Sequence, residues 1–376
     1  LGPGRPFHAG VAAVRRRAWT PAPPSGRLQL LQLQAQAAVN DPRIEALVAA
    51  ASMTGLHSDV QMLSSNHSRN STVASYIDAA RDQIVARLSS MGYSPQLVTF
   101  LSNHGDNIQV EIPGAVVPDE WIVIGAHYDS LNGSGSGSPA PGADDNASGS
   151  AAVLEIARVL STAGPFERSI RLMWFAGEEY GLLGAAAAAA ASRAAGEDIV
   201  GMLNTDMNAY RAAGDTRDVD FATNSTSAWL TDLCDTVGAQ YVPGWASKKG
   251  TLTAGSSDHA AYNSEGYAAI FPFEDLSQYS PYIHTSGDTY PQSTPDFDLA
   301  LMITRGVLAT AAVLAEPVDL SITHAPLGDT TNAAGPFVFT AQVTSLIGSP
   351  VTSVDLHYSL DGQSYSVVPM TQSGQD

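Results

Sequence analysis

Glu120-Trp121-Ile122-Val123-Ile124-Gly125-Ala126, running straight into His127-Tyr128-Asp129, decides how the chain is read. The run is apolar almost without interruption, with no alternation of polar and apolar positions. Such a strand is buried on both faces and therefore lies inside a sheet rather than on its edge. It ends abruptly in a histidine and an aspartate. Three further segments repeat this pattern. Ser169 to Ala176 is a buried strand that ends at Gly177-Glu178-Glu179, and Val200 to Thr205 ends at Asp206. Ala268 to Phe273 is followed by a loop that carries His284. Between strands, Ala151 to Leu160 is amphipathic at helical spacing, with Val153, Ile156, Ala157 and Leu160 inward. Strands alternating with helices predict an α/β fold, a central mixed, largely parallel β-sheet flanked by helices.

Upstream, residues from about Asp41 to Met91 read as helical, with Gly92 closing the last helix. A polar loop, Asn66 to Thr72, interrupts them. Asn66 and Asn70 head glycosylation triplets, which matter only in a eukaryotic secretory pathway. Gln96 to Phe100 and Asn107 to Ile112 alternate as strands do. Ala185 to Ala191 is seven alanines, a strong helix former. Its uniformity also raises the expectation that other side chains stand there in the natural protein.

The chain has 376 residues, 44% of them hydrophobic and 15% charged, enough to bury a large core. A net charge of −19 argues against nucleic acid and anionic membranes as partners. No apolar run is expected to cross a membrane. The single Cys234 excludes an intrachain disulfide and a thiolate zinc cluster. The chemistry therefore falls to histidines and carboxylates. Gly142-Ala143-Asp144-Asp145-Asn146-Ala147-Ser148-Gly149 reads as an acidic turn that presents exposed carboxylates at a helix start. In an open α/β sheet, functional residues gather at the carboxyl ends of strands. His127, Asp145, Glu178, Glu179, Asp206 and His284 would share that edge. Each alone has an ordinary reading as a satisfied polar terminus or an acidic turn. Together they are a donor set suited to zinc, numerous enough for two ions that share one carboxylate.

His127-x-Asp129, Gly142 to Gly149, Glu178-Glu179-x-Gly181, Asp206-Met207 and Ile283-His284-Thr285 with Asp288-Thr289 resemble, in order and spacing, the co-catalytic zinc aminopeptidases of family M28. The resemblance covers roughly residues 40 to 315. It implies two Zn2+ ions bridged by Asp145, one also held by His127 and Asp206, the other by Glu179 and His284. It implies a water or hydroxide between the ions as nucleophile, with Glu178 as general base rather than ligand. The two glutamates would diverge because they lie in an extended segment. Asp129 would hydrogen-bond the far nitrogen of His127, and the Asp145–Asn146 peptide would be cis. The substrate would be the N-terminus of a peptide or protein, its free amine near the metals. Met207, Phe273, Leu276, Tyr279 and Ile283, apolar neighbours of ligand positions, would accept Leu, Met or Phe. Some secreted members carry a disulfide and a tyrosine just before the segment matching Ser257-Asp258-His259. Here Leu252 to Ser256 offers neither, so Tyr279 or the metals would stabilise the oxyanion.

Rival readings are weaker. There is no G-x-S-x-G elbow and no H-E-x-x-H helix, and Ser257, Asp258 and His259 are too close in sequence to form a triad. A glutaminyl cyclase-like transferase with one zinc, a carboxypeptidase or dipeptidase of the same fold, and a non-catalytic binding ectodomain remain as alternatives. Residues 1–38, with Arg15-Arg16-Arg17 and several prolines, are expected to be an arm or pro-segment, 39–315 the catalytic domain, and 316–376 part of an Ig-like β-sandwich. Phe337 to Val343 and Val354 to Ser359 alternate as its strands, with Asp361-Gly362 a hairpin turn. The resemblance and the tail together suggest a secreted or extracellular protein. A monomer with no membrane insertion is the working expectation.

Overall fold

The apolar run Glu120 to Ala126 forms most of β3 (Val117–His127), and the last six residues of that strand are all buried. In the computed structural model the described residues are 40–222, 224–252, 256–324, 340–345, 355–358 and 366–371. The expected arm, residues 253–255 and the Asp361-Gly362 turn lie outside them. β4 (Arg168–Phe175) pairs parallel to β3 on one side, with His127 opposite Phe175. β5 (Asp198–Asn204) pairs parallel on the other side. β8 (Ala269–Ile270) continues the parallel set beyond β5. β2 (Asp106–Ile112) and β1 (Gln96–Thr99) complete the β4 edge in antiparallel sense, giving the order β1-β2-β4-β3-β5-β8. From β3 the chain proceeds to β4 on one flank and to β5 on the opposite flank. The connections therefore part at the carboxyl ends of these strands and leave a crevice there.

Helices cover the sheet. α1 (Pro42–Ala50), α2 (Met53–Ser64) and α3 (Ala74–Ser90) precede the strands. Asp41 caps α1 by accepting the amide of Arg43, and Gly92 follows α3 with φ 90°. α4 (Gly149–Leu160) buries every residue except Arg158. It starts hard against β5, since a Cβ on Gly149 would lie 2.3 Å from the carbonyl oxygen of Thr205. α5 (Leu183–Ala195) contains the alanine run and buries Ala185 and Ala189.

α6 (Ala228–Tyr241), α7 (His259–Ser264) and α8 (Phe297–Ala315) complete the set. α8 corrects one expectation. It is 19 residues long with a mean hydropathy of 1.7, long and apolar enough to cross a membrane, yet 78% of it is buried within the fold. It is apolar on nearly all sides because it packs against other helices and the sheet together.

The strand expected over Ala268 to Phe273 divides. Ala269–Ile270 stays in the main sheet, whereas β9 (Pro272–Phe273) joins β6 (Val219–Ala222) and β7 (Ser247–Gly250) in a small sheet of order β7-β6-β9. Pro272 has no amide hydrogen with which to continue the first ladder. Downstream of α8, β10 (Leu320–His324) pairs with β11 (Ala341–Ser345), and β12 (Asp355–Tyr358) with β13 (Ser366–Pro369), all antiparallel. Residues 316–318 remain tied to the main body. Glu316 pairs at 2.8 Å with the buried Arg168, its carbonyl accepts the Glu167 amide, and the Val318 amide donates to Pro165.

Candidate metal centre

The acidic turn is not the exposed cap that its composition suggests. Asp144 is fully buried and Asp145 is 6% exposed. The segment Ala143–Ser148 is wound loosely and leaves helical geometry at Asp145 and Asn146, between which the peptide bond is cis. Asp288 clasps the turn by its backbone. Its Oδ1 accepts the amide of Asp144 at 2.9 Å, and its Oδ2 accepts that of Asp145 at 3.0 Å. The Asn146 side chain donates to the carbonyl of Thr205 and accepts from the Gly149 amide, which ties the turn to the end of β5. The two neighbouring aspartates diverge. Asp144 accepts the Ala209 amide at 3.0 Å, and burial pushes its carboxyl well above the usual range.

Asp145 faces two histidines with different oxygens. Its Oδ1 lies 3.4 Å from His127 Nε2, and its Oδ2 lies 3.2 Å from His284 Nε2. His127 Nε2 is also 3.3 Å from Asp206 Oδ1, and His284 Nε2 is 2.8 Å from Glu179 Oε2. Two groups of donors thus share one carboxylate. Glu178 stands on the first side, its carboxylate oxygen within 4.8 Å of the donor atoms of His127 and Asp206. The glutamates occupy a single 3-10 turn, Glu178–Tyr180, rather than the extended segment expected. They diverge because successive residues of that turn point about a third of a revolution apart.

The surroundings hold these groups. Asp206 Oδ2 accepts the Ser257 hydroxyl at 2.6 Å, and that hydroxyl accepts from Asn204. Asp129 sits 3.6 Å from His127 Nδ1, beyond hydrogen-bond length, and its Oδ1 accepts the amide of Glu178 at 3.1 Å instead. The Tyr180 hydroxyl pairs with the side chain of Asn70, which is buried and also accepts the Thr72 amide and hydroxyl. Met207 and His284, both at ligand positions or next to them, have φ of 48° and 55°. Such backbone is uncommon for residues other than glycine and gathers at functional sites.

The electrostatics are those of carboxylates and histidines crowded together out of water. Burial, with the charge of Asp145, pushes the Glu179 carboxyl up to about 8. Burial also raises Glu178 well above the carboxylate range, with Asp258 and Asp206 adding to it against His127. Hydrogen bonds to Asp145 and Glu179 raise His284 to about 11. Burial opposes ionisation of Asp145, but His127 and His284 outweigh it and hold that carboxyl below its usual range. Among the described residues, His127 Nε2, Asp206 Oδ1 and Glu179 Oε1 are buried without a hydrogen-bond partner. Orphaned imidazole and carboxylate atoms that converge in this way fit divalent metal, and zinc by donor type.

Met207, Phe271 and Phe273 form a small apolar cluster apart from the main core, with Ala222, Leu252, Leu276 and Ile283 packed against it. Tyr279 lies at its edge, 37% exposed, with its ring 6.0 Å from Phe273. All five residues expected to line a pocket therefore meet in one place. The sequence reading did not include Phe271, which stacks on the buried His259. Asp288 and Ser257 stood within the quoted motifs without a role, and Arg69 had no part at all. Only Asp288 had a local signal, its place four residues after His284.

A model of Peptidase family M28 matches residues 107–309, over half the chain. A probable leucine aminopeptidase of Arthroderma otae is 38% identical over 197 residues, covering 50% of this chain and 52% of the relative. The chain thus spans about half the length of that relative. A probable leucine aminopeptidase 1 of Trichophyton verrucosum is 33% identical over 269 residues, covering 65% of this chain and 70% of the relative. Among solved structures, the LapA aminopeptidase of Legionella pneumophila superposes with a TM-score of 0.68 at 24% identity, covering 75% of this chain and 76% of the other.

Proposed function

The chain belongs to Peptidase family M28, and on that premise we propose that it is a metallo-aminopeptidase. In this reading it releases apolar first residues such as Leu, Met or Phe from peptide N-termini. The observation that supports it most is the bridging position of Asp145, one oxygen towards His127 and the other towards His284. His127, Asp145 and Asp206 would hold one zinc, and Glu179, Asp145 and His284 the other. When bound, such ions polarise the scissile carbonyl and acidify a water.

The chain's own residues would do the rest. Glu178 would take the proton of the attacking water and deliver it to the leaving amine. Burial raises the proton affinity of its carboxyl, as a general base requires. Asp129 fixes the Glu178 backbone through its amide, and Ser257 fixes Asp206. The cluster of Met207, Phe271 and Phe273, with Leu276, Ile283 and Tyr279, would receive an apolar side chain and keep water from it.

Elemental analysis paired with hydrolysis of leucine p-nitroanilide tests the proposal. The expected result is two zincs per chain and leucine release that stops on chelation and returns with metal. One zinc without such release would replace this reading with a cyclase-like transferase. Absence of bound metal would leave only a binding module.

A further inference from the structure

Arg69 is fully buried in the loop between α2 and α3. Among the described residues no carboxylate lies within ion-pair distance of it. Its donors go to main-chain carbonyls instead. Nε donates to Tyr128 O at 2.7 Å and Nη2 to Gly142 O at 2.8 Å, while Nη1 donates to Pro141 O and, at 3.4 Å, to Leu63 O. Its own backbone is strapped to Ser130. The Arg69 amide donates to Ser130 Oγ at 3.0 Å, and that hydroxyl donates to Ala140 O at 2.7 Å.

A buried cation with no carboxylate in contact is costly even with Asp288, Asp145, Asp129 and Glu179 in its surroundings, so its place needs a reason. The carbonyls it holds supply one. Tyr128 stands between His127 and Asp129 at the end of β3. Pro141 and Gly142 open the turn that carries Asp145. Gly142 has φ 54°, and a Cβ there would meet Arg69 Nη2 at 2.8 Å and Asp145 O at 2.4 Å. The turn is thus moulded around the guanidinium. The planar fork of arginine can serve several carbonyls at fixed angles, which the single ammonium of lysine cannot.

We propose that Arg69 is a positioning residue for the metal centre, fixing the His127 loop against the Asp145 loop so that both sets of donors are assembled before metal arrives. This rests on the two-metal reading above. The sign of the effect separates positioning from charge. A cation near the site repels metal, so if charge were its main influence, its removal would tighten binding. If it positions the loops, removal weakens binding.

The test uses the full chain, stripped by chelation and titrated with Zn2+ against a competing chromophoric chelator, with Co2+ absorption as a readout of ligand geometry. Arg69→Met and Arg69→Lys are both expected to bind Zn2+ about 10- to 100-fold more weakly, the range typical of groups that orient metal ligands, and to alter the Co2+ bands. Ser130→Ala keeps the guanidinium and loses only its strap. It is expected to weaken binding several-fold, and it decides the matter if the Arg69 variants do not fold. Variants that bind Zn2+ as tightly as wild type, or tighter, with an unchanged Co2+ spectrum would overturn the proposal. A wild-type chain that does not take up two ions would overturn the two-metal reading itself.

Discussion

Stripping the metals should make the fold sensitive to pH in a direction opposite to ordinary acid denaturation. Burial holds the Glu179 carboxyl at about 8, against an ordinary value of 4.5. Its folded proton affinity exceeds the unfolded one. The stability linked to it is therefore complete below about pH 4.5 and is lost as pH climbs to about 8. That interval corresponds to at most roughly 5 kcal/mol, at about 1.4 kcal/mol per tenfold change in proton affinity. His284, raised to about 11 by Asp145 and Glu179, works in the same direction from about 6.5 upward. His259, which burial holds down to about 4, works oppositely, since its contribution is lost as pH falls from 6.5 through 4. His259 behaves alike with and without metal and cancels in the difference. Divalent ions neutralise the carboxylates and remove the first effect. Thermal unfolding with chelator and with Zn2+, at pH 5, 6, 7 and 8, should show the metal-induced rise in Tm widening by about 10 °C across the series. A constant or shrinking gap would refute the reasoning.

Glu178→Gln should lower kcat by about 10²- to 10⁴-fold while elemental analysis still finds the wild-type zinc content. Wild-type-like turnover would reject its role as base. For the tail, the cut matters by a few residues. Ending the chain after Asp319 should leave leucine p-nitroanilide hydrolysis intact, and loss of activity there would make the tail part of the catalytic unit. Ending it after Ala315 removes Glu316 from the buried Arg168, which keeps Glu120 as its other carboxylate, and should cost about 1.5 kcal/mol, read as a lower Tm than that of the longer truncation. Equal Tm values would show that the pairing carries no weight.

The strands and their terminal residues were legible because a parallel core announces itself locally. A run such as Ile122 to Ala126 has nowhere to go but the interior, and the residues just beyond its last position stand at the sheet's carboxyl edge. The meeting of His127, Asp145, Glu178, Glu179, Asp206 and His284 could be anticipated on that ground. The difference between Asp144 and Asp145 could not. It depends on distant partners, since Asp144 accepts the Ala209 amide and Asp145 faces His127 and His284, while Asp288 clasps both amides alike. Arg69 in a polar loop gives no sign of its burial, which two distant segments create by closing over it. α8 misleads by composition, since a helix enclosed by protein and one enclosed by lipid look alike to a hydropathy count. Pro272 was a signal available and unused, for a proline cannot extend the ladder of Ala269 and Ile270.

The buried pairing of Asn70 with Tyr180 bears on how the protein can be manufactured. Asn70-Ser71-Thr72 is an acceptor triplet, and a yeast or insect secretory host attaches sugar to a nascent chain before distant residues have arrived. In the finished molecule the Asn70 amide nitrogen is committed to the Tyr180 hydroxyl, with no room for an oligosaccharide. Every chain modified there would be diverted from its fold, whereas Asn66, only half-buried, presents less of an obstacle. A bacterial host, which leaves the triplet alone, is the production route that the architecture recommends.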